Sequence, residues 1–201
     1  MVDDDKKKEN HKKRQQKLKE KVDERIAAAT EDKGLLLVIT GNGKGKSTSG
    51  FGMITRSVGH GLNAGIIQFI KGTWECGELN LLKQHGVKYH TMKTGFTWET
   101  QNKEADTAAA QIAWAEAKKL LTDSSIDIIL LDELTYMVTY GYVDLKDVLT
   151  ALQNRPPMQH VVITGRACHR KIIELADTVS EVQSIKHAFD NGIKVQKGVD
   201  W

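Results

Sequence analysis

The run LLLVITGNGKGKSTSGFG, residues 35–52, passes from an apolar segment through a turn rich in glycine and lysine into a helical pattern. LLLVIT (35–40) has the length of a strand and no polar alternation, the signature of a strand covered on both faces as in a parallel sheet. The turn follows the phosphate-binding pattern G-x-x-x-x-G-K-[ST], with Thr40 standing for the first glycine, then Gly41, Asn42, Gly43, Lys44, Gly45, Lys46 and Ser47, with Thr48 next. The first position only starts the turn. Gly41, Gly43 and Gly45 let successive backbone N–H groups converge on anionic oxygens with no Cβ in the way. A helix opening at Ser47 adds the positive end of its dipole. Lys46 then supplies a point charge for phosphate oxygens, and the Ser47 hydroxyl a ligand for Mg2+. A buried strand before the turn and a helix after it separate a phosphate cradle from an ordinary glycine turn.

Outward from this stretch, helix and strand patterns alternate. A helix over 47–60 closes at Gly61 and leads to the apolar strand AGIIQFI (64–70). GELNLLKQHG (77–86) reads as a short helix and VKYHTM (87–92) as a third strand. Residues 101–123 carry Ala109, Ile112, Ala113, Ala117, Leu120 and Leu121 at helical spacing and predict the longest helix of the chain. IDIILLDE is a fourth strand ending in two acids; Asp144–Gln153 is a helix stopped by Pro156 and Pro157; QHVVITGR (159–166) and TVSEV (178–182) are the fifth and sixth strands. The predicted class is α/β: a mostly parallel sheet of about six strands with helices on both faces, P-loop NTPase-like (RecA-like), with an N-terminal helical arm. The expected division is a basic arm over 1–33 and one α/β domain over 34–201.

Ligands of open α/β sheets bind beyond the carboxyl ends of the strands, where ILLDE puts Asp132 and Glu133. One carboxylate holds a metal directly or through water and the other orients a ligand; alternatively, Asp132 caps the segment that follows. Arg166, just after the fifth strand, and Arg56, on the helix after the loop, are either phosphate contacts or members of surface ion pairs. His169 and His187 read as ordinary surface histidines.

The chain of 201 residues suits one well-covered core. Its 40% hydrophobic and 27% charged content is that of a soluble globular protein, and no run approaches the roughly 18 apolar residues of a membrane helix. MVDDDKKKENHKKRQ lacks the apolar segment of a secretory signal, so a cytoplasmic address and no membrane partner are expected. Cys76 and Cys168 are far apart with no CxxC partner, which points to free thiols. The net charge of +3 arises in residues 1–25, where ten Lys+Arg face seven Asp+Glu; the remainder holds nineteen of each. An excess that is local and mixed in sign reads as a solvated helix face, and no nucleic-acid partner is expected. Residues 10–29 contain no Gly or Pro and place Leu18, Val22 and Ile26 four apart, a narrow apolar stripe on a charged helix.

Taken alone, the loop and the acids fit an ATPase or small-molecule kinase in which Glu133 activates water or an acceptor hydroxyl. GFTWETQ (95–101) does not belong to that picture. Phe96 and Trp98 share a face if the segment is a strand packing on the core edge, while polar neighbours Glu99, Thr100, Gln101 and Asn102 favour a loop.

With TGNGKGKST (40–48), RSVGHG (56–61), QFIKGTW (68–74), GFTWETQN (95–102), LLDELTYM (130–137), VVITGR (161–166), ELADTVSEV (174–182) and KHAFDNGIKVQKGVDW (186–201), the sequence closely resembles the ATP:corrinoid adenosyltransferases of the CobA/BtuR type. GFTWETQN and LLDELTYM are the more specific motifs, since a generic P-loop protein has no reason to contain either. Ser47 stands where Thr is expected in relatives and serves the same metal role. The resemblance implies that cob(I)alamin attacks C5′ of ATP, forming a cobalt–carbon bond and expelling triphosphate. It implies that Gly41 to Ser47 hold the triphosphate of ATP, which lies in reversed orientation, and that Ser47 and Glu133 flank Mg2+ (or Mn2+); Thr48 and Arg166 are counted with the ATP-binding residues. Phe96 and Trp98 match the aromatics that close on the lower corrinoid face and displace its axial base. Removing that σ-donor lowers the orbital that must accept an electron, which eases reduction to Co(I). A homodimer, and reduced flavodoxin or flavin as electron donor, are further implications.

Overall fold

The structure is a computed structural model that describes residues 2–70, 75–92 and 102–200, with side chains from residue 6 onward. The chain divides into two compact units, Met1–Asp32 and Lys33–Trp201. The first is helix α1 (Val2–Ala28), which starts well before the 10–29 segment expected from the apolar stripe. At 27 residues it exceeds the helix expected to be longest. Its early turns contain no breaker, and charge pairs such as Glu9 with Lys13, 2.6 Å apart at i,i+4, support a helix that apolar periodicity alone does not signal.

The second unit runs β1 (Leu36–Thr40), α2 (Lys46–Gly59), β2 (Ala64–Gln68), α3 (Gly77–Lys83), β3 (Lys88–Thr91), α4 (Lys103–Thr122), β4 (Ile128–Asp132), α5 (Leu134–Thr139), α6 (Leu145–Gln153), β5 (His160–Thr164), α7 (Arg170–Leu175) and β6 (Thr178–Glu181), then a 3-10 turn at Phe189–Asn191. The six strands form one parallel sheet in the order β3-β2-β4-β5-β1-β6. This is the expected class, with the sheet wholly parallel. The short helices α5 and α7 were not anticipated; each spans six residues, too few for a helical period to register.

Strand alternation sorts the apolar residues onto two faces. Ile39, Ile66, Ile128, Leu130 and Val162 pack with Phe51 and Ile54 of α2 and with Leu79 and Leu82 of α3. Val38, Ile67, Ile129, Leu131, Val161 and Ile163 face the other way, against Trp114 and Leu121 of α4, Met137 of α5 and Leu152 of α6. The face of α4 is rotated from the expected one: Ile112 is 59% exposed, whereas Trp114 is 1% exposed and its indole N–H donates to Asp147 at 2.8 Å. Small residues, Ala110, Ala113 and Ala117, let that helix lie close to the sheet and leave Trp114 as the bulky contact. No helix among the described residues is long and apolar enough to cross a membrane.

Gln159, at the entry to β5, ties the layers together. Its buried Nε2 lies 3.0–3.1 Å from the carbonyl oxygens of Leu120, Asp123 and Ile126, and so satisfies the end of α4 and the approach to β4. The amide has two hydrogens for the three acceptors, so at least one contact is shared. Replacing it with leucine leaves the Ile126 carbonyl without this donor, whereas Leu120 and Asp123 keep backbone N–H partners, at a cost of about 1–3 kcal/mol for such a group. Gln159→Leu is therefore expected to lower the free energy of unfolding by that amount in urea titrations, with the m-value unchanged.

Candidate functional site

The carboxyl ends of the strands open on a cleft of about 370 Å³. The loop residues Asn42 to Thr48 form one wall, Asp132, Glu133 and Arg166 another, and Gln68 reaches in from the end of β2. Strand order brings these groups together: β5 lies between β1, which feeds the loop, and β4, which ends in the acids. Arg166 follows β5 directly, so it lies in the same cleft. Arg56, in the last turn of α2, does not line it.

The loop turns into α2 through Gly45, at φ 109°, a backbone state that costs a residue with a Cβ. Gly45 offers no side-chain cap, so no capping side chain takes up the donors of the helix's first turn. Lys46 is 7% exposed, and its ammonium group donates to the carbonyl of Gly43 at 2.7 Å. Burial pushes its pKa down, opposed by the nearby Glu133 and Asp132 carboxylates. The structure gives Gly41 and Gly43 a neighbour other than a ligand. A Cβ on either would lie 2.5 Å from the carbonyl oxygen of Val182 or Gln183, and the N–H of Gly43 donates to Val182 at 2.7 Å. Their missing side chains admit the chain that follows β6, and only at Gly45 is the space open. The same C-terminal segment returns Asp200 to the cleft, 2.5 Å from the Lys44 ammonium group.

Across the cleft, Asp132 is 3% exposed and accepts from the Thr164 hydroxyl at 2.6 Å and from the Gln68 amide at 3.4 Å. It therefore does not cap the following segment. That position belongs to Glu133, in the left-handed region at φ 62° with no side-chain cap bond. A non-glycine residue there carries strain that the surroundings must hold in place. The N–H of Glu133 donates to Thr164 at 3.0 Å, and its Oε2 is buried with no hydrogen-bond partner. Gly165, at φ 136°, makes room for this turn, since a Cβ there would fall 2.0 Å from the Thr135 hydroxyl and 3.3 Å from Glu133 Oε2.

Burial, reinforced by the Asp132 charge, raises the Glu133 pKa to about 7, against the pull of Lys46 and Arg166. Folding thus favours its protonated form. The resulting stabilisation is complete below the ordinary value of 4.5 and is lost as pH rises through about 7. Without nucleotide or metal, the stability of the wild type relative to Glu133→Gln is expected to fall by up to about 3 kcal/mol across that window and then level off. Urea titrations of both proteins from acid to mildly alkaline pH check this.

Of the residues singled out in the sequence, Asn42, Gly43, Lys44, Gly45, Lys46, Ser47, Thr48, Glu133 and Arg166 line this cleft. Gly41 supports the turn behind it. Phe96 and Trp98 lie outside the described residues. Sequence reasoning passed over Gln68 and Asp200, which line the cleft, and Thr164, which is buried against Asp132, and left His187, another lining residue, among the surface histidines. The signal for Gln68 and Thr164 is a polar residue ending a strand whose interior is apolar; nothing local marks Asp200.

Residues 32–201 match the family model described as ATP:corrinoid adenosyltransferase BtuR/CobO/CobP. The chain is 59% identical over 185 residues to a corrinoid adenosyltransferase of Escherichia coli K12, covering 92% of this chain and 94% of that protein. It is 57% identical, with the same coverage, to the corrinoid adenosyltransferase CobA of Salmonella typhimurium. A corrinoid adenosyltransferase of Pseudomonas aeruginosa is 50% identical over 91% of each chain. With the phosphate loop facing the buried acid turn and the match extending to the last residue, the chain belongs to the ATP:corrinoid adenosyltransferase family.

Proposed function

We propose that this cleft holds the triphosphate of ATP while Co(I) of a reduced corrinoid attacks the ribose C5′. The Co(I) electron pair forms the cobalt–carbon bond, the C5′–O bond breaks, and triphosphate leaves with the bonding electrons. The observation that carries the reading is the approach of Lys46 and the uncapped start of α2 to one cleft, facing a wall on which Arg166 stands beside Asp132 and Glu133. Cationic and N–H groups gathered there meet charge that grows on the departing triphosphate, which is where electrostatic help lowers the barrier. No side-chain nucleophile is required. The chain contributes position, charge neutralisation and exclusion of water.

Mg2+, or Mn2+, fits the donor set. Glu133 Oε2 is a buried acceptor without a partner, and Ser47 lies on the opposite wall. Among the described residues no group of three or more His, Cys, Asp or Glu could hold a metal by itself. Mg2+ is commonly held by one or two protein oxygens together with phosphate oxygens and water, so the ligands expected here are Ser47, Glu133 and the triphosphate. Bound in that way, the ion neutralises the leaving group. Phe96 and Trp98 are proposed to cover the lower corrinoid face. A cytoplasmic location, a homodimer and reduced flavodoxin or flavin as electron donor complete the reading.

The direct test is anaerobic incubation with Mg-ATP and chemically reduced cob(I)alamin. A light-sensitive alkylcorrinoid formed together with inorganic triphosphate is the expected result; ADP and phosphate without an alkylcorrinoid would mean an ordinary ATPase or kinase. Lys46→Ala is expected to weaken ATP binding in calorimetry about ten- to hundredfold, the loss of a charged hydrogen bond worth about 1.5–3 kcal/mol. Replacing Phe96 and Trp98 together with alanine is expected to slow adenosylation that starts from cob(II)alamin and reduced flavodoxin. ATP affinity, and turnover of pre-reduced cob(I)alamin, should remain near wild type.

A further inference from the structure

We infer that Thr164 is a positioning residue for adenosyl transfer: its buried hydroxyl fixes the Asp132 carboxylate and the strained Glu133 turn at the metal-facing wall of the cleft. The inference rests on the adenosyl-transfer reading and adds a residue to it. Thr164 is fully buried, at 0% exposure, and ends a strand whose other interior residues, Val161, Val162 and Ile163, are all apolar. A threonine hydroxyl carries one hydrogen and can also accept. Both capacities are used on the acid turn: the hydrogen goes to Asp132 Oδ1 at 2.6 Å, and the oxygen accepts the N–H of Glu133 at 3.0 Å. One side chain thereby orients the carboxylate of Asp132 and anchors the backbone of Glu133 in its left-handed state.

The rest of the neighbourhood fixes Thr164 itself. A Cβ on Gly50 of α2 would lie 3.2 Å from the Thr164 methyl, so the glycine leaves room for that methyl while the hydroxyl bonds toward β4. On the other side of Asp132, the Gln68 amide donates at 3.4 Å to Oδ2, while Gln68 Oε1 accepts from Thr91 at 3.3 Å. The polar ends of four neighbouring strands thus form one hydrogen-bonded row, β3 to β2 to β4 to β5, level with one another in register. Thr164 is its short end and the link nearest Glu133. Residues that orient metal-site carboxylates through hydrogen bonds typically change metal affinity or activity about 10–100-fold when lost.

The test compares the full-length wild type with Thr164→Val, which keeps the shape and removes the hydroxyl, and Thr164→Ser, which keeps the hydroxyl. Calorimetry measures ATP affinity across a Mg2+ titration, and steady-state kinetics with chemically reduced cob(I)alamin separate kcat from KM. The valine variant is expected to need about tenfold more Mg2+ for tight ATP binding and to lose about tenfold or more in kcat, with KM for the corrinoid unchanged. The serine variant should recover most of both losses. Mg2+ dependence and kcat within about twofold of wild type in the valine variant, or a serine variant as impaired as the valine one, would overturn the inference. Should Thr164→Val lack a cooperative melting transition, Thr164→Ala removes the hydroxyl without setting a methyl against the carboxylate, and the same readings decide. A wild type that makes no alkylcorrinoid overturns the adenosyl-transfer reading and this inference with it; an active wild type with an unaffected valine variant overturns the inference alone.

Discussion

The placement of β5 between β1 and β4 is the constraint on which the cleft depends. Adjacent parallel strands lie about 4.8 Å apart, so one inserted strand sets about 10 Å between the end of the loop-bearing strand and the end of the acid-bearing one. That is a gap that a phosphate chain can occupy. The inserted strand also furnishes the gap: Thr164 holds the acids, Gly165 gives the turn room, and Arg166 adds a positive charge. Register fixes these residues at one level, because Leu131 pairs with Ile163 and Ile39 with Thr164.

Charged groups of both signs line the cleft. Lys46 rests on the Gly43 carbonyl, Lys44 on Asp200, and Glu133 leaves a buried oxygen unpartnered. A buried carboxylate beside another carboxylate resists ionising, which is why its pKa rises, and a cation with phosphate ligands reverses that balance. In the adenosyl-transfer reading proposed for this cleft, such an arrangement serves departure of the whole triphosphate. A conventional P-loop enzyme directs similar parts at the terminal phosphoryl group.

The sheet and most of its helices were legible because buried parallel strands are short continuous apolar runs and the helices between them have strong breaks. The strand LLVIT and the acids after IILLD were readable locally. The rotated face of α4 was not, since alanines carry little hydrophobic signal and Ile112 outweighs them in any periodicity reading. The length of α1 was missed for the opposite reason: a charged helix has hardly any apolar period to detect.

The sequence by itself determined the phosphate loop, the strand ending in Asp132 and Glu133, the parallel α/β class and, through its motifs, the family. These are encoded by residues close together in the chain, where turn chemistry and apolar runs are read directly. Tertiary structure decided which loop glycine borders open space and which face the C-terminal segment, the return of Asp200 to Lys44, and the seat of Thr164 between Asp132 and Glu133. Each of these joins residues separated by 31 or more positions, and only the order and register of the strands bring such residues within hydrogen-bonding distance.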